Sequence, residues 1–408
     1  MMSRVFVSAC YSRDTVLLLV IRRNALARAF CRRSKNMLIF QREIEAQIEG
    51  NLFKGRMISI LGPRQSGKTT LAKKLIKPYG EEGAYFDCQL AEVRKHFVIG
   101  KPGTLVPLTQ GKKTVVFDEA QTIQDIGTIL KVFHDTYPET QIIATGSSSF
   151  DLSNKINEPM TGRVFEFTLL PLSLSEIKKS MSVTRVDVYN LMLYGSYPAV
   201  VAAQTIDEKK LVLKNIATQY LYKDVFVFEA IRNPRVFEEL VNLLAFQIGS
   251  LVSISELADH LGVSRSVIQR YLRLLEQSFI IKVVQPFSTN RRNELKKAFK
   301  VYFLDVGIRN AIVDVDTPLS ERADRGSIFE NYFVSERMKK GVNESVFPPE
   351  IMFWRTRAGM EVDVIEKKGV HITAFECKWS AEEVSFKSFL KAYPRAHAEV
   401  VSPETMLV

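Results

Sequence analysis

Short uninterrupted apolar runs set the frame of the first half of the chain: Met57-Ile58-Ser59-Ile60-Leu61, Ala84-Tyr85-Phe86-Asp87-Cys88, Thr114-Val115-Val116-Phe117-Asp118 and Gln141-Ile142-Ile143-Ala144-Thr145. Amphipathic stretches separate them. Strands apolar on both faces and alternating with helices predict a parallel sheet covered on both sides. Thr161-Gly162-Arg163-Val164-Phe165-Glu166-Phe167 reads as a fifth strand, and Arg42 to Ile48 as a helix ending near Gly50. Ser173 and Glu176 stand at capping-box spacing, so a helix starts there and the chain turns away from the sheet. Helical spacing continues to about Ile231, broken at Gly195-Ser196-Tyr197-Pro198.

Beyond Asn233-Pro234 the pattern changes. Phe237, Leu240, Leu243 and Leu244 share one helix face, and Ser253 to Gly262 makes a second helix stopped by its glycine. Ser264 precedes a third helix carrying Arg265, Gln269, Arg270 and Arg273, which together read as a helix-turn-helix. Two strands, Phe279 to Val284 and Lys300 to Leu304, flank the basic stretch from Asn290 to Lys297, as in a winged helix with a basic wing. A last module has an amphipathic helix, Gly326 to Val334, and three strands around Met352-Phe353-Trp354, Met360 to Ile365 and Ile372 to Trp379.

The net charge of +11 suggests nucleic acid until its distribution is read. Residues 1–36 hold eight basic side chains against Asp14 alone, a net of +7, so the remaining 372 residues carry only +4. This arginine-rich leader has the composition of a transit peptide, and its apolar run Val16 to Ile21 is too short to span a bilayer. It also reads as a basic tail, or as an extension upstream of a working start at Met37. The last is favoured, because the globular pattern begins at Met37-Leu38-Ile39-Phe40. Cys10, Cys31, Cys88 and Cys377 form no CxxC pair, which points to a reducing cytoplasm without disulfides or structural zinc.

The chemistry concentrates in Gly62-Pro63-Arg64-Gln65-Ser66-Gly67-Lys68-Thr69, a complete G-x-x-x-x-G-K-[ST] loop between a buried strand and the helix opened by Thr70. Its glycines let backbone amides turn toward phosphate oxygens, the helix N-terminus adds positive potential, and Lys68 supplies a point charge. Thr69 is then a Mg²⁺ ligand. Asp118-Glu119 at the end of an apolar strand reads as a Walker B pair, with Asp118 holding Mg²⁺ and Glu119 activating water. Thr145 or Ser147 is placed to sense the γ-phosphate, in the manner of ATPases with an extra strand between the phosphate-loop and Walker B strands. Arg163 is a candidate arginine finger toward a neighbouring subunit, which requires an oligomer. In the last module, alternation puts Glu361 and Asp363 on one strand face and Glu376 and Lys378 on one face of the next. Glu330 is able to join them, and such carboxylates with a lysine can form a second Mg²⁺ site.

From about Leu38 onward the chain resembles the prokaryotic AAA-type ATPases that pair a phosphate-loop domain with a C-terminal domain of unknown function. The matching stretches include the phosphate loop, Phe117-Asp118-Glu119-Ala120-Gln121, Thr145-Gly146-Ser147-Ser148, Gly162-Arg163, Pro171-Leu172-Ser173, Gly195-Ser196-Tyr197-Pro198, Tyr302-Phe303-Leu304-Asp305-Val306-Gly307 and Gly326-Ser327-Ile328-Phe329-Glu330. The resemblance implies an α/β protein: a P-loop NTPase parallel sheet over 37–172, a helical lid over 173–232, a winged-helix domain over 233–315 and a small nuclease-like α/β domain over 316–408. It also places Glu330, Asp363, Glu376 and Lys378 on the PD-(D/E)xK nuclease pattern. The expected function is a cytoplasmic Mg²⁺-dependent ATPase acting on double-stranded DNA, with no membrane association. The alternatives are an ATP-gated nuclease and a slow switch docking a protein partner.

Overall fold

In the computed structural model, residues 39–97, 109–147, 162–219, 231, 233–287, 298–315, 317–356, 358–380 and 382–407 are described. The leader 1–36, residues Ser148, Ser149 and Thr161, and the basic stretch Asn290 to Lys297 lie outside them. The fold below is that of the unit beginning at Phe40.

Helix α1 (Ile44–Glu49) precedes β1 (Met57–Leu61), whose five residues are all buried. Then follow α2 (Lys68–Ile76), β2 (Gly83–Asp87), α3 (Ala91–Arg94), β3 (Thr114–Asp118), α4 (Ile126–Thr136), β4 (Gln141–Gly146) and β5 (Val164–Thr168). The sheet order is β2-β3-β4-β1-β5, and all four pairings are parallel. This is the expected P-loop NTPase sheet, with β4 inserted between the phosphate-loop strand and the strand ending in Asp118. Apolar residues on its two faces feed two cores: Leu61, Phe117, Phe133 and Ala144 in one, Ile58, Ile60, Leu71 and Ile143 in the other. Burial on both faces is why these strands read as continuous apolar runs.

The chain leaves the sheet at α5 (Leu174–Ser180), whose Ser173–Glu176 capping box forms as predicted. Helices α6 (Arg185–Tyr194), α7 (Pro198–Ala202), α8 (Ile206–Gln219) and α9 (Pro234–Phe246) follow, the first two parted at Gly195. Next come β6 (Leu251–Val252), α10 (Ile254–Leu261), α11 (Arg265–Gln277), β7 (Ile281–Val284) and β8 (Phe299–Phe303). Gly262 ends α10 at φ 64, the left-handed turn of the predicted helix-turn-helix. Antiparallel pairing in the order β6-β8-β7 closes the unit.

After α12 (Val306–Val313), the tail consists of α13 (Arg325–Glu344), β9 (Glu350–Arg355), β10 (Glu361–Lys368), β11 (His371–Cys377), α14 (Lys387–Ala392) and β12 (His397–Val401). Its sheet order is β12-β11-β10-β9, antiparallel except for β11 with β12. One hydrophobic core runs from Phe40 through helices α5 to α11 and the strands after them into the inner tail at Val401. Backbone pairing adds to it: Phe353 exchanges hydrogen bonds with Gln285 and Phe287, joining β9 to the chain beyond β7. Helix α13 runs for 20 residues, well past the expected end at Val334.

Candidate nucleotide site

The carboxyl ends of β1, β3 and β4 lie side by side, so the loop after β1, Asp118 and Thr145 meet at one edge of the sheet. Gly62 stands at φ 155, and a Cβ there would lie 2.1 Å from the Leu169 carbonyl oxygen. Glycine is required because the loop closes against the chain leaving β5, where Leu169 donates to the Leu61 carbonyl at 2.7 Å. Gly67, at φ 100, opens α2. Pro63 and Ser66 are buried, Arg64 is half-buried and Gln65 is exposed at φ 60. Lys68 is only 3% exposed, and its ammonium donates to the Gly62 and Pro63 carbonyls at 2.9 and 2.8 Å. Thr70 sits exposed in the first turn of α2.

Asp118 is met by three hydroxyls. Thr69 donates to its Oδ2 at 2.7 Å, Tyr85 to the same oxygen at 2.5 Å and Thr145 to Oδ1 at 2.5 Å. Burial, reinforced by the Asp118 carboxylate, holds the Tyr85 phenol well above its ordinary pKa, so it remains a proton donor. Burial likewise keeps the neighbouring Cys88 a thiol. Glu119 takes a left-handed backbone, φ 52, and its N–H donates to the Thr145 hydroxyl at 3.0 Å. A non-glycine residue in that region is costly and needs its surroundings to hold it. Gln121 does so from the side chain: its amide donates to the Glu119 carboxylate at 2.6 Å and to the Ser147 hydroxyl at 3.0 Å.

These residues suit a nucleotide with a divalent cation. Two oxygen ligands suited to Mg²⁺, from Thr69 and Asp118, already touch. The loop is kept clear of Cβ atoms at Gly62 and Gly67, and the buried Ser66 hydroxyl within it has no hydrogen-bond partner. Thr145 reaches the Walker B pair directly, whereas Ser147 reaches it through Gln121.

Arg163 is elsewhere. Its carbonyl accepts from Met57 N–H at the amino end of β1, the opposite end of the sheet from the phosphate loop. Its guanidinium pairs with Asp135 at 3.1 Å, both side chains well exposed. It is not part of this chain's own site.

The tail carboxylates meet an unexpected partner. Lys300 of β8, 2% exposed, places its ammonium 3.0 Å from Glu330, 2.7 Å from Glu361 and 3.9 Å from Asp363. Tyr302 donates to Glu330 at 2.5 Å, and the Cys377 N–H to Asp363 at 2.9 Å. Burial alone would lower the Lys300 pKa, but Glu330, Asp363 and Glu361 outweigh it and raise it, so the ammonium stays charged. Glu330 is pushed up to about 7, chiefly by burial, with Lys300 opposing. Burial first, then Asp363, also raises Glu376, which pairs with Lys378 at 3.1 Å. Glu361 and Asp363 both face Lys300, and the expected metal position among Glu330 and Asp363 holds a lysine. Among the described residues no group of three or more His, Cys, Asp or Glu is arranged to hold a metal ion.

Three contributors escaped the sequence reading. Tyr85 reaches Asp118 only because β2 lies beside β3, and Lys300 reaches the tail only through tertiary packing. Arg42, 7% exposed, donates to the phosphate-loop carbonyl of Ser66 at 2.7 Å, to the Leu170 carbonyl at 2.6 Å and to Glu176 at 2.9 Å. An arginine just ahead of helix α1 and the loop strand was the one available signal.

Residues 54–178 match the model of an AAA domain, and residues 185–319 and 325–406 match two domains of unknown function, DUF8612 and DUF4143. An uncharacterized protein of Mycobacterium tuberculosis is 25% identical over 345 residues, 84% of this chain and 74% of that protein. One of Methanocaldococcus jannaschii is 24% identical over 384 residues, 88% of this chain and 82% of that protein. Among solved structures, the Aeropyrum pernix Orc1 protein in complex with DNA superposes at a TM-score of 0.34, with 12% identity, over 70% of this chain and 95% of that one. AMPPCP-bound DnaA from Aquifex aeolicus gives 0.29, with 14% identity, over 57% and 86%. No helix among the described residues is long and apolar enough to cross a membrane.

Proposed function

For a chain that joins an AAA domain to a DUF4143 tail, we propose a Mg²⁺-dependent ATPase of the cytoplasm whose nucleotide state repositions the helix-turn-helix unit and tail on double-stranded DNA. The observation that carries this reading is the convergence of Lys68, Thr69, Asp118, Glu119 and Thr145 at one sheet edge. Bound Mg²⁺ supplies neutralisation of phosphate charge. Loop amides from Gly62 to Thr70 cradle the phosphates, and Lys68 exchanges its carbonyl partners for phosphate oxygens. Thr69 and Asp118 hold the cation, Glu119 orients the attacking water, and Gln121 fixes the Glu119 carboxylate. Thr145, bonded to both members of the Walker B pair, is the better sensor; Ser147 acts behind it. The Arg163 finger finds no support in its pairing with Asp135.

The DNA part rests on α11, where Arg265, Gln269 and Arg273 are exposed at four-residue spacing and so share one face. Arg270 instead lies over the Tyr271 ring at 5.7 Å. The tail carboxylates take no catalytic part in this reading, because the Lys300 ammonium already stands among them where a cation would.

The test is ATP turnover with and without duplex DNA, beside Glu119→Gln. Turnover stimulated by DNA and lost in the variant supports the whole reading. Turnover indifferent to DNA removes the DNA component, and wild-type turnover matched by Glu119→Gln removes the proposed hydrolytic role.

A further inference from the structure

The phosphate loop is gripped from outside. In a trans peptide the carbonyl of one residue and the N–H of the next lie in one plane and point in opposite directions, and no described peptide bond is cis. The Ser66 carbonyl points at Arg42, 2.7 Å from Nη1. The Gly67 N–H, antiparallel to that carbonyl in the same plane, is therefore turned away from Arg42. Gly67 can take either sign of φ at little cost, so the sequence of the loop leaves this peptide free to flip. Something beyond the loop must choose its orientation.

Arg42 is built to make that choice. Its Nε donates to Glu176 Oε1, its Nη1 to Ser66 and its Nη2 to the Leu170 carbonyl, so all three nitrogens are committed and the planar fork cannot turn. Glu176 is fully buried and doubly tied, accepting from the Glu43 and Ser173 N–H groups at 2.9 Å each. The guanidinium thus connects the loop with the start of lid helix α5 and with the chain that contacts Gly62.

We propose that Arg42 is the positioning residue of the phosphate loop, fixing the Ser66–Gly67 peptide so that the Gly67 amide faces the β-phosphate. The proposal rests on the nucleotide reading above. Arg42 touches no reacting atom, so its contribution is to binding: substitution raises KM with kcat retained. It also acts on ADP and ATP alike, since both carry a β-phosphate. A residue that only stabilised the fold would shift the melting temperature without that pattern.

The experiment uses the full chain, measuring ADP affinity by calorimetry and ATP turnover for wild type, Arg42→Gln and Arg42→Lys, with nucleotide-free melting as the fold control. Loss of one charge-assisted hydrogen bond predicts ADP binding and KM for ATP weakened by about tenfold or more in Arg42→Gln. An intermediate loss is expected in Arg42→Lys, whose single ammonium cannot reproduce the fork. If Arg42→Gln does not fold, the lysine variant carries the test, with weakened ADP binding expected. A folded variant binding ADP as wild type does would overturn the proposal while leaving nucleotide binding intact. Wild type that binds no ADP sinks the nucleotide reading, and this one with it.

Discussion

Two acidic clusters in this molecule look alike in the sequence and differ in what satisfies them. At the nucleotide site, Asp118 is met by three neutral hydroxyls, from Thr69, Tyr85 and Thr145. Each such bond to a carboxylate contributes about 1.5–3 kcal/mol net and can be exchanged for a cation and phosphate. In the tail, Glu330, Glu361 and Asp363 surround the buried ammonium of Lys300, delivered from β8. Removing one partner of a buried ion pair strands the other charge, at a cost of about 3–5 kcal/mol. The first cluster is arranged to trade partners and the second to keep one. A carboxylate pattern therefore does not define a metal site until the nearest cation is known.

The largest effect is expected at Lys300. Lys300→Met leaves three carboxylates without their ammonium, and chemical denaturation is expected to show about 3–5 kcal/mol lost. An unchanged midpoint would mean the cluster is solvated and open.

A subtler probe is pH. The folded pKa of Glu330, about 7, lies above its ordinary 4.5, so the folded state binds more protons between those values. Its contribution to stability is full below about pH 4.5 and is lost as pH rises through 7. Lys300 is raised above its ordinary 10.5, so its contribution persists across this window and fades only in alkali. Stability should thus fall between pH 5 and 8, and Glu330→Gln should reduce the fall; an identical slope in the variant would argue against the buried cluster. The smallest effect belongs to Arg163→Ala. Its pair with Asp135 is solvent-exposed, so stability should be nearly unchanged and turnover should stay within about twofold of wild type. A large loss of turnover, rescued by mixing with a site-dead subunit, would restore the finger.

Much of the fold was legible because its signals are local. Strands buried on both faces announce themselves as apolar runs, and the phosphate loop carries its own glycine spacing. Gly262 and the Ser173–Glu176 box marked helix ends through backbone chemistry confined to a few residues. Helix α13 was read too short because its second half buries Ser335, Glu336, Lys339 and Asn343 rather than apolar side chains. Lys339 bonds Glu336 and Ser196 at 2.8 Å, and Glu336 accepts from the Leu174 N–H at 2.7 Å, so that face is dry through polar pairing invisible to hydrophobic periodicity. Arg42, Tyr85 and Lys300 were missed for a related reason. Each meets its acidic or carbonyl partner 24 or more residues away, at distances no motif encodes.

Whether the Gly62-to-Thr69 loop engages a nucleotide is read from calorimetric titration of the full chain with MgATP, beside Lys68→Ala. Saturable one-site binding by wild type, weakened by at least about a hundredfold in the variant, is the predicted result, since Lys68 is the proposed charged phosphate ligand of the loop. Equal binding by both proteins, or none by either, would contradict it.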